Sequence, residues 1–239
     1  MNTIKVKHDN VLMVAHRGCS GLEKENTNAA FVAAGNRSYF GIETDVHRTL
    51  DGKFVCFHDD TTGRVAIDNM VVEQTTFDTL RALVLTDRDG QKGRSDLRMP
   101  TLQEYVQICK KYGKVGVLEL KNTFDVVDLI KIVEIIKAED YLHGIIFISF
   151  SLENMINMRT MLPEQPCQYL LSKWGDDTIE ILKKYHLDLD IRHTALTEER
   201  IAALHENGIK VNCWTVDDPD RAAELIEWGV DYMTSNILE

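Results

Sequence analysis

Two histidines, three carboxylates, an arginine and a lysine stand where short apolar runs of this chain come to an end. His16 and Arg17 follow VLMVA, Glu43 and Asp45 lie in GIETDVH, His58 follows KFVCF, and Glu119 and Lys121 lie in VGVLELK. An imidazole, with an unperturbed pKa of about 6.5, gives and takes protons near neutrality. A guanidinium offers a planar fork of donors that matches pairs of phosphate oxygens. Oxygen ligands alone suit Mg²⁺ or Ca²⁺ and not zinc. The set points to acid–base chemistry on a phosphate ester.

Strand periodicity decides which of these groups meet. Glu43 and Asp45 are two apart and share one side of their strand, as do Glu119 and Lys121 on theirs, with Leu118 and Leu120 opposite. Sides that pack on helices must be apolar, so the charged sides face an interior. Three carboxylates in one interior are costly unless something positive sits among them. Pairing with Arg17 or Lys121 is one solution and a bound dication the other; three acids at strand ends favour the dication. Asp51-Gly52 between two strand-like runs signals a hairpin, with Leu50 opposite Lys53 and Asp45 opposite His58. That register returns His58 to the carboxylates. Trp214 is either a core residue or a wall for substrate. His8, His143, His186 and His205 read as surface or packing residues, and His47 and His193 stay unassigned.

These residues need a frame that gathers strand ends. Eight strand candidates occur, at 11–16, 41–47, 114–121, 144–150, 167–171, 187–192, 210–216 and 231–235, most of them rich in Val, Ile and Leu. Amphipathic helical segments alternate with them. Ser151, Asp176 or Asp177, and Thr197 are placed as N-caps, Thr101 and Glu104 as a capping box, and Gly208 and Gly229 as helix stops. The alternation predicts an α/β (β/α)8 TIM barrel, whose active site is built at the C-terminal strand ends. The stretch from about 59 to 113 has weak strand signals, and Arg81–Met99 reads as loop. It is expected to be a small insertion after the second-strand hairpin, within a single domain over residues 1–239.

Bulk properties narrow the setting. The 239 residues carry a net charge of −11, which argues against a nucleic-acid partner and requires a local positive site for any anionic substrate. The five cysteines, Cys19, Cys56, Cys109, Cys167 and Cys213, are odd in number and widely spaced, as expected of reduced thiols in a cytoplasm. The N-terminus lacks an apolar signal core, and no apolar run nears about 18 residues, so no stable membrane association is expected.

In order along the chain, HRG at 16–18, KENT at 24–27, ETDV at 43–46, HD at 58–59, ELK at 119–121 and WTV at 214–216 resemble the glycerophosphodiester phosphodiesterase family. MPTLQE and GVDYMTS add to the likeness, which spans nearly the whole chain. The resemblance implies hydrolysis of a small glycerophosphodiester to glycerol 3-phosphate and an alcohol. It implies His16 and His58 as general acid and base, and Glu43, Asp45 and Glu119 as ligands of one divalent cation, Mg²⁺ or Ca²⁺. It implies Arg17 and Lys121 as phosphate-holding residues and Trp214 as a pocket wall. It further implies attack by the glycerol 2-hydroxyl, giving a cyclic phosphate that water opens. Gly18 would let the backbone approach closely. Lys24, Thr62 and Ser235 depart from the family pattern; Lys24 is expected to alter only its loop, whereas Ser235 removes an acid beside the first strand. The rival readings are a related barrel phosphodiesterase for lysophospholipids or phosphoinositides, and a non-catalytic phosphodiester-binding barrel.

Overall fold

Short runs of β-branched residues separated by amphipathic helices can bury both faces only by wrapping a parallel sheet in helices. The computed structural model, which describes residues 2–239, does this by closing the sheet. Strands β1 (Leu12–Ala15), β2 (Gly41–Arg48), β4 (Val115–Leu120), β5 (Ile145–Ser149), β6 (Cys167–Leu171), β7 (Asp188–Arg192), β8 (Val211–Trp214) and β9 (Tyr232–Ser235) pair in parallel around a ring. Pairing of Val14 with Gly41 and of Ala15 with Ile42 closes it between β1 and β2. The architecture is a (β/α)8 TIM barrel. Each strand falls within the run expected from the sequence, except that β2 continues one residue further, to Arg48.

The helices between strands begin and end where their termini are satisfied. Thr27 caps α1 (Asn28–Gly35) by accepting from the Ala30 N–H. Thr101 and Glu104 form the expected capping box on α3 (Leu102–Tyr112), and Gly113, in the left-handed region, ends it. Ser151 caps α5 (Leu152–Met161), and Thr197 caps α7 (Glu198–Glu206). Asp177 precedes α6 (Thr178–Tyr185) but its side chain makes no capping bond, contrary to expectation. The remaining helices are α4 (Val126–Ala138) and α8 (Pro219–Glu227). Among the described residues, no helix is long and apolar enough to cross a membrane. All five cysteines are buried and free.

The hairpin strand β3 (Phe54–Cys56) pairs antiparallel with β2 in a register one residue away from the expected one. Val46 lies opposite Cys56 and Arg48 opposite Phe54, so the ladder places Phe57, not His58, beside Asp45. The turn holds three residues, with Gly52 at φ +73°, a loop in which glycine takes the left-handed position. The Phe57 N–H still donates to the Asp45 carbonyl at 2.9 Å. The strand ends at Cys56, so His58 is free of the ladder's alternation and turns toward the barrel mouth.

Between β3 and α3 the chain builds a small cap with its own apolar cluster, including Phe57, Val72, Leu80, Leu85, Leu97 and Met99. A two-turn helix, α2 (Phe77–Ala82), starts just before the stretch read as loop and takes in its first residues. Within the segment read as an insertion, α3 lies against the barrel itself, with its Tyr105 hydroxyl donating to the Ile42 carbonyl at 2.6 Å. Inside the barrel, Val14, Val117, Ile146, Ile148 and Leu170 pack as an apolar plug under the mouth. Side chains above that plug are therefore the ones ligand can reach.

Candidate active site

Above the plug, β2 and β4 run in register with Asp45 opposite Glu119. Glu43, Asp45 and Glu119 are all buried, and one oxygen from each lies within 4.8 Å of the others. Two cations flank them. Lys121 Nζ is 2.9 Å from Glu119 and 3.5 Å from Asp45, and Arg17 Nε is 3.7 Å from Asp45. The Arg17 main-chain N–H donates to Glu43 at 2.7 Å, and the Asn26 amide donates to Asp45 at 2.8 Å.

The three acids are pushed apart by these surroundings. Burial opposes ionisation of Asp45, but Lys121, Arg17, His58 and the Asn26 amide together hold it well below the usual carboxylate range. Burial and the neighbouring Asp45 and Glu119 carboxylates push Glu43 well above its ordinary value. Burial and Asp45 raise Glu119 to about 8 against the pull of Lys121. A compact all-oxygen set that resists carrying its full negative charge fits a hard dication such as Mg²⁺ or Ca²⁺.

His16 leaves the tip of β1, its main-chain N–H donating to the Ser235 carbonyl. Its Nδ1 lies 2.7 Å from Asn236 Oδ1. The Asn236 amide is oriented by Asp217, whose carboxylate accepts from Asn236 Nδ2 at 2.6 Å and from the Asn236 main chain at 2.8 Å. With the amide NH₂ committed to Asp217, Oδ1 must face His16 and accept from Nδ1–H. That leaves the Nε2 lone pair free. Burial, with Arg17 beside it, lowers His16 to about 4, so the ring is neutral at pH 7. His58 has a different partner. Its Nδ1 sits 2.6 Å from Asp59, and Asp59 is in turn held by Arg64 at 2.6 Å. Burial lowers His58, while Asp45 and Asp59 oppose that shift.

Arg17 takes a left-handed backbone conformation, φ +53°, as does Asn26, φ +51°. Glu25 fixes the guanidinium at 2.8 Å and is itself gripped by Arg64. Burial opposes its charge, yet Arg64 and Arg17 hold Glu25 at about 2. Gly18, φ +76°, follows. A Cβ there would lie 2.7 Å from Ala30, so the close approach is to the start of α1. His16, Arg17, Glu43, His58, Glu119 and Trp214 line one cavity of about 370 Å³, shared with Phe150, Asp190 and Arg192. Lys121 and Asp45 adjoin this lining through their ion pairs with Glu119 and Arg17.

The family model for the glycerophosphoryl diester phosphodiesterase family matches residues 16–238. This chain belongs to that family. Among its relatives, YhdW of Bacillus subtilis is 29% identical over 226 residues, covering 92% of this chain and 91% of that protein. The glycerophosphodiester phosphodiesterase of Caldanaerobacter subterraneus is 28% identical over 229 residues, with 92% and 91% covered. A solved phosphodiesterase of Oleispira antarctica, in complex with the product sn-glycerol-3-phosphate, superposes with a TM-score of 0.86 at 27% identity, over 95% of this chain and 93% of that one.

All eight residues that the sequence singles out converge on this mouth. Several partners were not singled out. Glu25 and Asn26 lie in the KENT segment and carry a signal only as part of it. Asp59 likewise lies in the HD pair at 58–59, whereas Arg64, Asp217 and Asn236 carry none, because tertiary contacts alone give them partners. His47 is buried and bonds Glu73 and the His58 carbonyl, so it supports the loop that carries His58. His193 pairs with Arg221 outside the cavity. Two departures from the family pattern also find explanations. Ser235 Oγ donates to Asp217 at 2.9 Å, so an acid from the loop after β8 occupies the neighbourhood of the missing one. Lys24 does more than alter its loop: it is buried and its Nζ reaches Thr86, tying the loop after β1 to the cap.

Proposed function

We propose that this protein hydrolyses glycerophosphodiesters to glycerol 3-phosphate and an alcohol, with a divalent cation held by Glu43, Asp45 and Glu119. The observation that carries the reading is the convergence of the acidic cluster with two histidines in different hydrogen-bond settings on one cavity. A hard dication bound there supplies counter-charge to the phosphoryl oxygens and polarises them. Arg17 and Lys121 hold the same oxygens, Arg17 through its planar fork.

His16 is the base. Its Nε2 takes the proton of the glycerol 2-hydroxyl as that oxygen bonds to phosphorus. His58 is the acid, since Asp45 and Asp59 oppose the lowering that burial causes in it, whereas His16 is lowered to about 4. It gives a proton to the departing alkoxide as the phosphorus–oxygen bond to the alcohol breaks. Water then opens the cyclic phosphate with the two roles reversed, which restores both rings and yields glycerol 3-phosphate. Trp214 and Phe150 wall the cavity and shield the exchange from solvent. The five buried free thiols support a reducing, cytoplasmic setting, and the continuous barrel supports one domain over 1–239 with the cap as its insertion.

The test is release of glycerol 3-phosphate from glycerophosphocholine and glycerophosphoethanolamine, with Mg²⁺, Ca²⁺ or EDTA. Release is expected to need the cation and to disappear in His16→Ala. A folded His16→Ala protein with full activity sinks the acid–base assignment, and full activity in EDTA sinks the cation.

A further inference from the structure

The cavity has two unlike halves. One, from β1, β2 and β4, carries the acids, His16 and Arg17. The other, from β5 to β8, carries Ile148, Leu170, Asp190, Arg192 and Trp214, with Phe150 and Ser172 just past their strands. Asp190 and Arg192 are two apart on β7 and share its inward side, Asp190 deeper and Arg192 at the rim. Asp190 is 2% exposed, and among the described residues its Oδ1 has no hydrogen-bond partner. Phe150, at the rim, is 42% exposed.

Resting on the hydrolase reading above, we propose that Arg192, with Trp214 and Phe150, forms the subsite for the leaving alcohol. It selects diesters whose alcohol carries a further phosphate anion over those carrying a quaternary ammonium.

The depth of the groups sets which end of the substrate lies where. The part common to all substrates, glycerol, is rich in hydroxyls and suits the enclosed floor, where the unpartnered Asp190 oxygen can accept one. The variable part belongs at the open rim. Arg192 stands opposite Trp214 in the β7–β8 ladder, with its guanidinium 5.4 Å from the indole centroid. Among the described residues it pairs with no carboxylate, whereas Arg17 on the facing wall is held by Glu25. Arg192 is exposed at this rim, so its charge is open to an anion on a bound substrate.

A quaternary ammonium would bind best on an open aromatic face. Here Arg192 already covers a face of Trp214, and the ring of Phe150 meets Trp214 edge-on at 5.7 Å and 88°. A second cation would be brought beside a first. The rim therefore lacks an aromatic cage and offers a fixed positive charge instead.

The test uses three diesters that share the glycerophosphoryl group: bis(glycerophospho)glycerol, glycerophosphoglycerol and glycerophosphocholine. Wild type is expected to show kcat/KM about tenfold higher for the first than for the last, with glycerophosphoglycerol between. Arg192→Ala should bring the two ends of the series within about twofold, and Arg192→Glu should invert their order. Binding of the same compounds to His16→Ala, by calorimetry, should follow the same ranking. A ranking that Arg192→Ala and Arg192→Glu leave unchanged, or a wild-type preference for the choline diester, overturns the subsite. Charge-ranked binding to His16→Ala without turnover in wild type would keep the subsite and overturn the hydrolase reading.

Discussion

Loading the acidic cluster with a dication should expel protons, and the number follows from the geometry. In the ion-free protein, Glu119 titrates at about 8 because it is buried beside Asp45, and Glu43 lies well above its ordinary value for the same reasons. At pH 7 Glu119 then carries about 0.9 of a proton, and the upward shift of Glu43 acts in the same direction. An ion that binds all three carboxylates displaces what they hold, so about one proton or more should leave per ion.

The sign of the stability effect follows. An unfolded glutamate releases its proton near 4.5, so from there toward 8 the folded, ion-free state holds more protons than the unfolded state. Stability without the ion therefore falls as pH rises through that window. Bound ion removes the loss, and the thermal gain must grow with pH. At free ion about 100 times Kd at pH 7, the gain is about 2.7 kcal/mol, or about 5–10 °C in Tm for a chain of this size. One pH unit lower, displacement of one proton weakens binding by about tenfold, and the gain shrinks to about 1.4 kcal/mol. Calorimetry of Mg²⁺ and Ca²⁺ binding in two buffers of different ionisation enthalpy counts the protons, and melting curves at pH 6 and pH 7 read the gain. Fewer than about half a proton per ion, or a Tm gain that is the same at both pH values, would refute this account of the cluster.

Two further outcomes follow from single contacts. Asn236→Ala leaves the His16 Nδ1–H without its acceptor, a loss of about 1–3 kcal/mol that should appear as a 5- to 150-fold fall in kcat/KM with an altered pH–rate profile; wild-type kinetics would remove Asn236 from the positioning of His16. Gly18→Ala forces a Cβ to within 2.7 Å of Ala30 at a φ of +76°, and should cost about 2–4 kcal/mol, or about 4–16 °C in Tm, whereas an unshifted melting curve would show that this turn can relax.

The barrel was legible because eight apolar runs alternate with capped helices, and both signals are local. The inward direction of Glu43, Asp45 and Glu119 was legible for the same reason: period two leaves no other side for a charge when the opposite side must meet a helix. The hairpin register was not. Asp-Gly favours a two-residue turn, yet the turn here takes three residues because Gly52 occupies the left-handed position at its end. That single residue moves Phe57 beside Asp45, where alternation alone would have put His58. His58 still reaches the mouth, because the ladder stops at Cys56 and the cap redirects the chain. The ligand set for His16 was equally hidden, since Asn236 and Asp217 are far from it in sequence and neither sits in a spaced motif. Local patterns report which way a side chain leaves its own element, and they are silent on partners supplied by another loop.

The same division bears on how a chain with a net charge of −11 can take an anionic diester. The cluster does not need a surplus of positive charge to exist. Burial raises Glu119 to about 8 and Glu43 in the same direction, so a dication that displaces their protons adds less local charge than its own two units. What changes is where the charge sits: from protons on the carboxyls to a centre between them, open to phosphoryl oxygens. Arg17 cannot supply that alone, because Glu25 and Asp45 already neutralise it. Nor can Lys121, held by Glu119 and Asp45. Among the described residues, Arg192 is the cation of the cavity wall that no carboxylate holds, and it stands at the rim, away from the acids. Positive charge for the phosphoryl group and positive charge for its leaving alcohol thus come from opposite walls, so the two can be altered independently.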